Sequence, residues 1–203
     1  MPAPLPKPEL RWLTEAEPST YDAVHRVVAA VMEQHGAVGW LGVPSRAETA
    51  GWLDGILVAV AAGQARLGVV EWDGRIAALG RWVRYDKPTV AVNADVQQVM
   101  VHPAARGRGL ARLLVAALVA DARAAGVETL TLDVRGNNHA AMALYESLGF
   151  SVCGRLPDFV AVGDERWDRV LYRRDLRSPD AAVQRRGGRP FGAGASLARS
   201  PSR

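Results

Sequence analysis

The chain predicts a single α/β domain over residues 9–176, and three observations carry that expectation. Segments with strand alternation and segments with helical spacing follow one another along the chain, with no internal repeat. Asp73–Gly74 lies between two apolar runs, where a tight hairpin turn needs φ > 0 at its centre. An apolar run at 96–101, a helix to about Ala125 and an alternating run at 127–135 form a β–α–β order. That order makes the two strands parallel neighbours joined by a right-handed crossover.

Each element has a local reason. "ELRWL" at 9–13 is a short strand. Residues 19–34 place Ala23, Val24, Val27, Val28 and Val31 at helical spacing, with Ser19 or Thr20 as the N-cap. Residues 45–63 form a second helix, capped by Ser45 after Pro44. Strands at 65–72 and 75–85 flank the Asp73–Gly74 turn, and a loop around Lys87–Pro88 leads to the strand at 96–101. Gly126 ends the next helix, Asn138 opens a short one that Gly149 terminates, and strand patterns at 150–156 and 166–176 close the domain around a 157–166 loop.

Composition excludes several classes. Cys153 is the single cysteine, so no internal disulfide exists, and a reducing, cytoplasmic setting is expected. The N-terminal "MPAPLPKPELRW" lacks the apolar core of a secretory signal, and runs such as "ILVAVAA" fall short of the ~20 residues that span a bilayer. The net charge of +4 hints at nucleic acid, but its distribution does not. Residues 177–203 hold six arginines and one acid, a balance of +5, so residues 1–176 carry −1. The expected organisation is a flexible segment at 1–8, the domain at 9–176, and a disordered Arg/Gly/Ser-rich tail at 177–203 whose "RRGGR" could touch RNA.

The segment "HPAARGRGLARLL" at 102–114 combines a strand end, two glycines and a helix start. A helix N-terminus presents amides without intrahelical partners and about half a positive charge. Gly107, Gly109 and Ala111 would leave those amides open to anionic oxygens, while Arg106 and Arg108 add charge. A plain tight turn is the alternative. The Gly-Lys-Ser/Thr ending of a Walker loop and the third glycine of the dinucleotide fingerprint are both missing, which leaves mononucleotide or pyrophosphate as the anion.

Read with "LDVRGNNHAAMALYESLGF", this segment resembles the GNAT superfamily of acetyl-coenzyme A-dependent N-acetyltransferases. The family's Arg/Gln-x-x-Gly-x-Gly/Ala maps onto Arg106, Gly109 and Ala111; its Asn-x-x-Ala-x-x-Leu-Tyr maps onto Asn138, Ala141, Leu144 and Tyr145. The resemblance covers residues 65–176 well and the N-terminal third only by element order. It implies a mixed, mostly antiparallel sheet whose central parallel pair splays around acetyl-CoA. It assigns the pyrophosphate to the amides of Arg106, Gly107, Arg108, Gly109, Leu110 and Ala111, and pantetheine to the backbone of Val99, Met100 and Val101 and to Asn138. No metal is implied.

Moving acetyl from sulfur to an amine requires a proton to leave the ammonium and another to reach the thiolate. On its residues alone, Tyr145 is either a core tyrosine or a proton donor; the resemblance assigns the second role, which a phenol of pKa about 10 suits. Asp133 is the candidate base. Alternation sets it on one face with Thr129 and Thr131, opposite Leu130, Leu132 and Val134. An ordinary carboxylate is a weak base unless burial raises it, and a partner role for Arg135 or another arginine is the alternative. Asp95, Gln97 and Gln98 are held in reserve for substrate binding, His102 is positional, and Cys153 is expected in packing.

"NADVQQVMVHP" and "GRLPDFVAV" resemble the branch that includes tabtoxin-resistance acetyltransferases. The expected acceptor is therefore the amine, or a hydroxyl, of a small amino-acid-like metabolite or antimetabolite, acetylated within a ternary complex. Its pocket would come from the first two helices, the 36–44 loop with Trp40, and the 157–166 loop, closed by itself or covered by a second copy of a homodimer. Alternatives are a protein N-terminus or lysine in an open groove, and a non-catalytic acetyl-CoA sensor with a nucleic-acid-touching tail.

Overall fold

The computed structural model describes residues 7–34 and 39–177. Expectations for residues 1–6, for the first part of the 36–44 loop and for the arginine-rich stretch from 178 onward lie outside the described residues. The elements run β1 (Glu9–Leu13), α1 (Pro18–Met32), α2 (Arg46–Ala61), β2 (Ala65–Trp72), β3 (Arg75–Arg84), β4 (Asn93–Val101), α3 (Leu110–Ala124), β5 (Thr129–Arg135), α4 (His139–Ser147), β6 (Ser151–Val162) and β7 (Glu165–Asp175).

Among the described residues seven strands form one sheet in the order β1-β2-β3-β4-β5-β7-β6. Only β4 and β5 among the described residues pair in parallel, through the α3 crossover; every other neighbouring pair is antiparallel. The β2–β3 turn has positive φ at both Asp73 and Gly74, as its sequence requires.

Helices cover both faces, so strand alternation feeds two cores. On one face Leu114, Val115 and Leu118 of α3 pack with Trp82, Val96, Leu130 and Val170. On the other, Val24, Val27 and Val28 of α1 and Leu53 and Ile56 of α2 pack with Leu67, Val69 and Met100. Trp82 is 2 % exposed, yet its indole N–H is satisfied: it donates to Asp121 Oδ1 of α3 at 2.8 Å.

Local chemistry decides most boundaries. Ser45 closes a reciprocal capping box with Glu48 at the start of α2. Helix α1 departs from expectation: it starts at Pro18, and its N-cap, Glu17, makes no side-chain cap bond. The proline ring presets the helical φ and removes one amide that would lack a partner, which replaces the Ser19 or Thr20 cap. Strand β4 begins at Asn93 rather than 96, because residues 93–95 are those that pair with β5. The 157–166 loop is instead continuous hairpin: β6 runs to Val162 across register shifts at Val152/Gly154 and Leu156/Val160. Cys153, expected in packing, is exposed on that edge strand. No helix among the described residues is long and apolar enough to cross a membrane.

Candidate active site

The sheet opens at its centre. β4 and β5 pair only at Asn93↔Thr129, Ala94↔Leu130 and Asp95↔Thr131. Beyond that rung β4 continues beside β3 to Val101, and β5 continues beside β7 to Arg135, each without the other. A β-bulge bends β4 at this point. Leu79 pairs with Met100 and Arg81 with Gln97, so Gly80 alone faces both Gln98 and Val99, and Gln98 has φ 55°. A Cβ at Gly80 would stand 3.2 Å from the Val99 side chain and 3.3 Å from Leu114. The missing side chain at Gly80 is what lets the bulge sit against α3.

The mouth of the wedge is the start of α3. Gly109 is its N-cap at φ 75°, Gly107 has φ 76°, and a Cβ at either would meet only open space. The first main-chain bond of the helix runs from Leu113 N–H to Gly109 O at 3.0 Å, so the amides of Leu110, Ala111 and Arg112 have no helical acceptor. The Arg106 amide is committed to Pro103 O at 3.2 Å, which narrows the open amides to 107 onward. The side chain of Arg106 donates to Gln34 Oε1 at 2.6 Å; that of Arg108 folds onto Ala104 O at 2.8 Å and over the Trp72 ring. Leu110 and Met100 put their side chains into the two cores, so only their backbones reach the wedge. His102 is positional: its Nδ1 accepts from the Ala104 amide at 3.3 Å.

Across the wedge, Asn138 caps α4, its side-chain oxygen accepting from Ala141 N–H at 3.2 Å and leaving its NH2 group uncommitted by that bond. Two amide oxygens nearby in the chain, Gln98 Oε1 and Asn137 Oδ1, are buried without a hydrogen-bond partner among the described residues. Buried polar atoms of that kind ordinarily have one. No spacing rule in the sequence marks either of them.

Tyr145 projects from α4 into the α3-side core and is 8 % exposed. Its ring meets Phe150 edge-on at 5.8 Å and Tyr172 at 6.4 Å. Among the described residues its hydroxyl has no hydrogen-bond partner, whereas Tyr172 donates to Glu146 at 3.0 Å. Burial, and then the charge of Asp133, push the Tyr145 phenol well above its ordinary value. The hydroxyl therefore keeps its proton.

Asp133 lies on the opposite face and is not buried; its side chain is 36 % exposed. It accepts from Arg169 Nη2 of β7 at 2.6 Å, so its arginine partner comes from the neighbouring strand rather than from Arg135. Asp95, on β4, is a carboxylate that burial acts on. Burial is the largest influence there and raises it, against lowering by hydrogen bonds from Thr131 and Gln97. Arg81 donates to Gln97 Oε1 at 2.7 Å, and Gln97 Nε2 donates to Asp95 Oδ2 at 3.1 Å. Thr131 Oγ1 donates to Asp95 Oδ1 at 2.5 Å and lies 2.6 Å from the Tyr85 hydroxyl. Because a guanidinium can only donate, the Gln97 amide is fixed in one orientation, and Asp95 is the sink of the network.

A cavity of about 480 Å³ flanks the unpaired end of β5. Asp133, Arg135 and Arg169 supply its charge, and Trp40, Leu41 and Phe159 much of its apolar wall. Trp40 meets Trp52 edge-on at 5.2 Å, and the Arg169 guanidinium lies 5.5 Å from the centre of the Phe159 ring. Among the described residues no His/Cys/Asp/Glu group is placed to hold a metal ion.

Comparisons with known proteins agree with this geometry. Residues 46–150 match the acetyltransferase (GNAT) family. The L-methionine sulfoximine/L-methionine sulfone acetyltransferase of Salmonella typhimurium is 35 % identical over 91 residues, covering 45 % of this chain and 51 % of that protein. The mycothiol acetyltransferase of Tsukamurella paurometabola is 33 % identical over 157 residues, covering 74 % of this chain and 51 % of its own. The chain thus spans about half the length of these curated relatives. A solved ribosomal L7/L12 alpha-N-protein acetyltransferase in complex with coenzyme A superposes with a TM-score of 0.71 at 20 % identity, over 83 % of this chain and 93 % of that one. At that identity the likeness is one of fold. The chain belongs to the acetyltransferase (GNAT) family.

Proposed function

We propose that this protein transfers the acetyl group of acetyl-CoA directly to the amine of a small amino-acid-like acceptor, within a ternary complex. The loss of β4–β5 pairing beyond Asp95–Thr131 is the observation that carries the reading. An unpaired β4 edge offers backbone donors and acceptors to an extended amide chain, as strand addition does. The residues fit such a group: the amides from Gly107 to Ala111 suit a pyrophosphate, and Val99 to Val101, Asn138 and the orphaned oxygens of Gln98 and Asn137 suit the pantetheine amides. When bound, acetyl-CoA supplies an activated thioester.

The remaining work belongs to side chains. Asp133, facing the cavity, meets the acceptor's ammonium and takes its proton directly or through one water. Arg169 orients that carboxylate. A backbone amide of Met100 or Val101 polarises the thioester carbonyl. Tyr145, kept protonated by burial, delivers its proton to the departing sulfur and is restored, through water, by the second proton that the attacking nitrogen sheds as the amide forms. A cytoplasmic location fits the single exposed cysteine.

A protein N-terminus is the second reading, favoured by the stretch shared with the ribosomal protein bS18-alanine N-acetyltransferase of Escherichia coli, 37 % identical over 78 residues. The cavity favours the first, because about 480 Å³ with convergent charge is the scale of a small ligand. The test pairs calorimetry of acetyl-CoA binding with thiol release on a panel of free amino acids, amino-acid analogues and peptides. Binding with turnover on amino acids supports the proposal. Turnover on peptides alone favours the second reading, binding without turnover a sensor, and no binding rejects all three.

A further inference from the structure

Strand β6 breaks its pairing with β7 beside the acceptor cavity. Leu156 pairs with Arg169 and Val160 with Trp167, so Pro157, Asp158 and Phe159 stand opposite Asp168 alone. Specific contacts hold this bulge. Pro157 has no amide to give to a ladder, and Asp158 takes φ 53°, a conformation that side chains rarely adopt. The Asp168 carboxylate spans the gap: its Oδ1 accepts from the Asp158 amide at 3.3 Å and its Oδ2 from Arg155 Nη1 at 2.7 Å. The Asp168 carbonyl accepts from the Gly136 amide at 2.8 Å, which ties the same residue to the chain just past β5. Bulges fixed in this way re-aim a side chain, and they recur next to functional sites.

The side chain re-aimed here is Phe159. It is 58 % exposed, so burial does not account for its place, and the Arg169 guanidinium lies 5.5 Å from its ring centre. Arg169 faces a choice of carboxylates. It donates to Asp133 at 2.6 Å, and the charge of Asp95 on β4 also favours its protonated form. Thr131 engages one oxygen of Asp95 and Gln97 the other, but a carboxylate oxygen accepts more than one donor. An arginine side chain carries much rotamer freedom, and a ring against its guanidinium restricts it.

We infer that Phe159, aimed by the Asp168-held bulge of β6, is a positioning residue that keeps Arg169 on Asp133 and so fixes the carboxylate that meets the acceptor's ammonium. It acts through Arg169 and not on the reacting atoms. Without the ring, Arg169 divides between Asp133 and Asp95, and Asp133 loses its fixed orientation. The inference rests on the proposed proton transfer to Asp133 and adds a residue to that site.

The test uses Phe159→Leu, which removes the ring but keeps an apolar side chain, and Phe159→Tyr, which keeps the ring. At saturating acceptor, Phe159→Leu is expected to lower kcat about 10-fold with acetyl-CoA affinity unchanged, whereas Phe159→Tyr stays within about threefold of wild type. Added to Asp133→Asn, Phe159→Leu is expected to change kcat by about twofold or less, because the group it positions is already gone. Relaxation of the Arg169 ¹⁵Nε signal reads the restraint without turnover: ordered in wild type and Phe159→Tyr, mobile in Phe159→Leu. Arg169 equally rigid in Phe159→Leu and wild type, the same loss of kcat with and without Asp133→Asn, or Phe159→Tyr as slow as Phe159→Leu would overturn the positioning role. Absence of turnover on every amine, with Arg169 released only when the ring is lost, would instead count against the proposed reaction while upholding the restraint on Arg169.

Discussion

Replacing Tyr145 by phenylalanine separates a catalytic hydroxyl from a structural one. The ring is 8 % exposed and packs on Phe150 at 5.8 Å and Tyr172 at 6.4 Å, contacts that phenylalanine retains. The hydroxyl makes no hydrogen bond to the described residues and is not among the buried polar atoms left without a partner, so its removal breaks no native contact. Its removal is thus expected to leave stability within about 0.5 kcal/mol of wild type, a Tm shift of at most about 2 °C. Turnover should behave oppositely. A positioned general acid contributes about 10²–10⁴-fold, equivalent to about 3–5 kcal/mol of barrier. The internal control is Tyr172→Phe, which deletes the 3.0 Å bond to Glu146 and should cost about 1 kcal/mol of stability with kcat nearly intact. Thiol-release kinetics and thermal melts on both variants decide the matter. A Tyr145→Phe enzyme that turns over within about threefold of wild type refutes the acid assignment. So does one whose loss of rate tracks a loss of folded protein.

Four further outcomes follow from the same geometry. Asp133→Asn preserves size but removes the proton acceptor, so kcat should fall about 100-fold or more with acetyl-CoA affinity unchanged in calorimetry. Burial raises Asp95 in the folded state, so the stabilisation present below the ordinary carboxylate pKa is lost as pH rises through the raised folded value. Asp95→Asn should therefore flatten the decline in urea midpoint measured between about pH 4 and 8, and equal slopes would count against its burial. Gly109→Ala forces a side chain to φ 75° and should cost about 1–2 kcal/mol in denaturant melts, together with acetyl-CoA affinity. Ser45→Ala breaks the capping box remote from the wedge and should cost about 1 kcal/mol with kcat unchanged.

What was legible in the sequence is what short-range chemistry determines. The Ser45 cap, the Asp73–Gly74 turn and the β–α–β order each follow from a few adjacent residues, and the structure places them as expected. Boundaries failed where a distant partner sets them: β4 starts early because Asn93–Asp95 pair with β5, and β6 runs long because β7 accompanies it past its bulges. The same divide separates the site residues. Tyr145, the Asn138 cap of its helix and the glycine segment carry local signatures. Asp95 is raised by burial within a network gathered from Arg81, Gln97, Thr131 and Tyr85, and the contact of Phe159 with Arg169 depends on the bulged β6–β7 register. Neither leaves a mark on periodicity or spacing.

Amide chemical-shift mapping of ¹⁵N-labelled protein titrated with acetyl-CoA tests the central claim most directly. The largest perturbations are expected at Gly107 to Ala111 and at Val99 to Val101, the open amides at the mouth of α3 and the β4 edge beside the parted strands. Shifts that cluster elsewhere, or none at saturating coenzyme, would contradict the wedge as the coenzyme site.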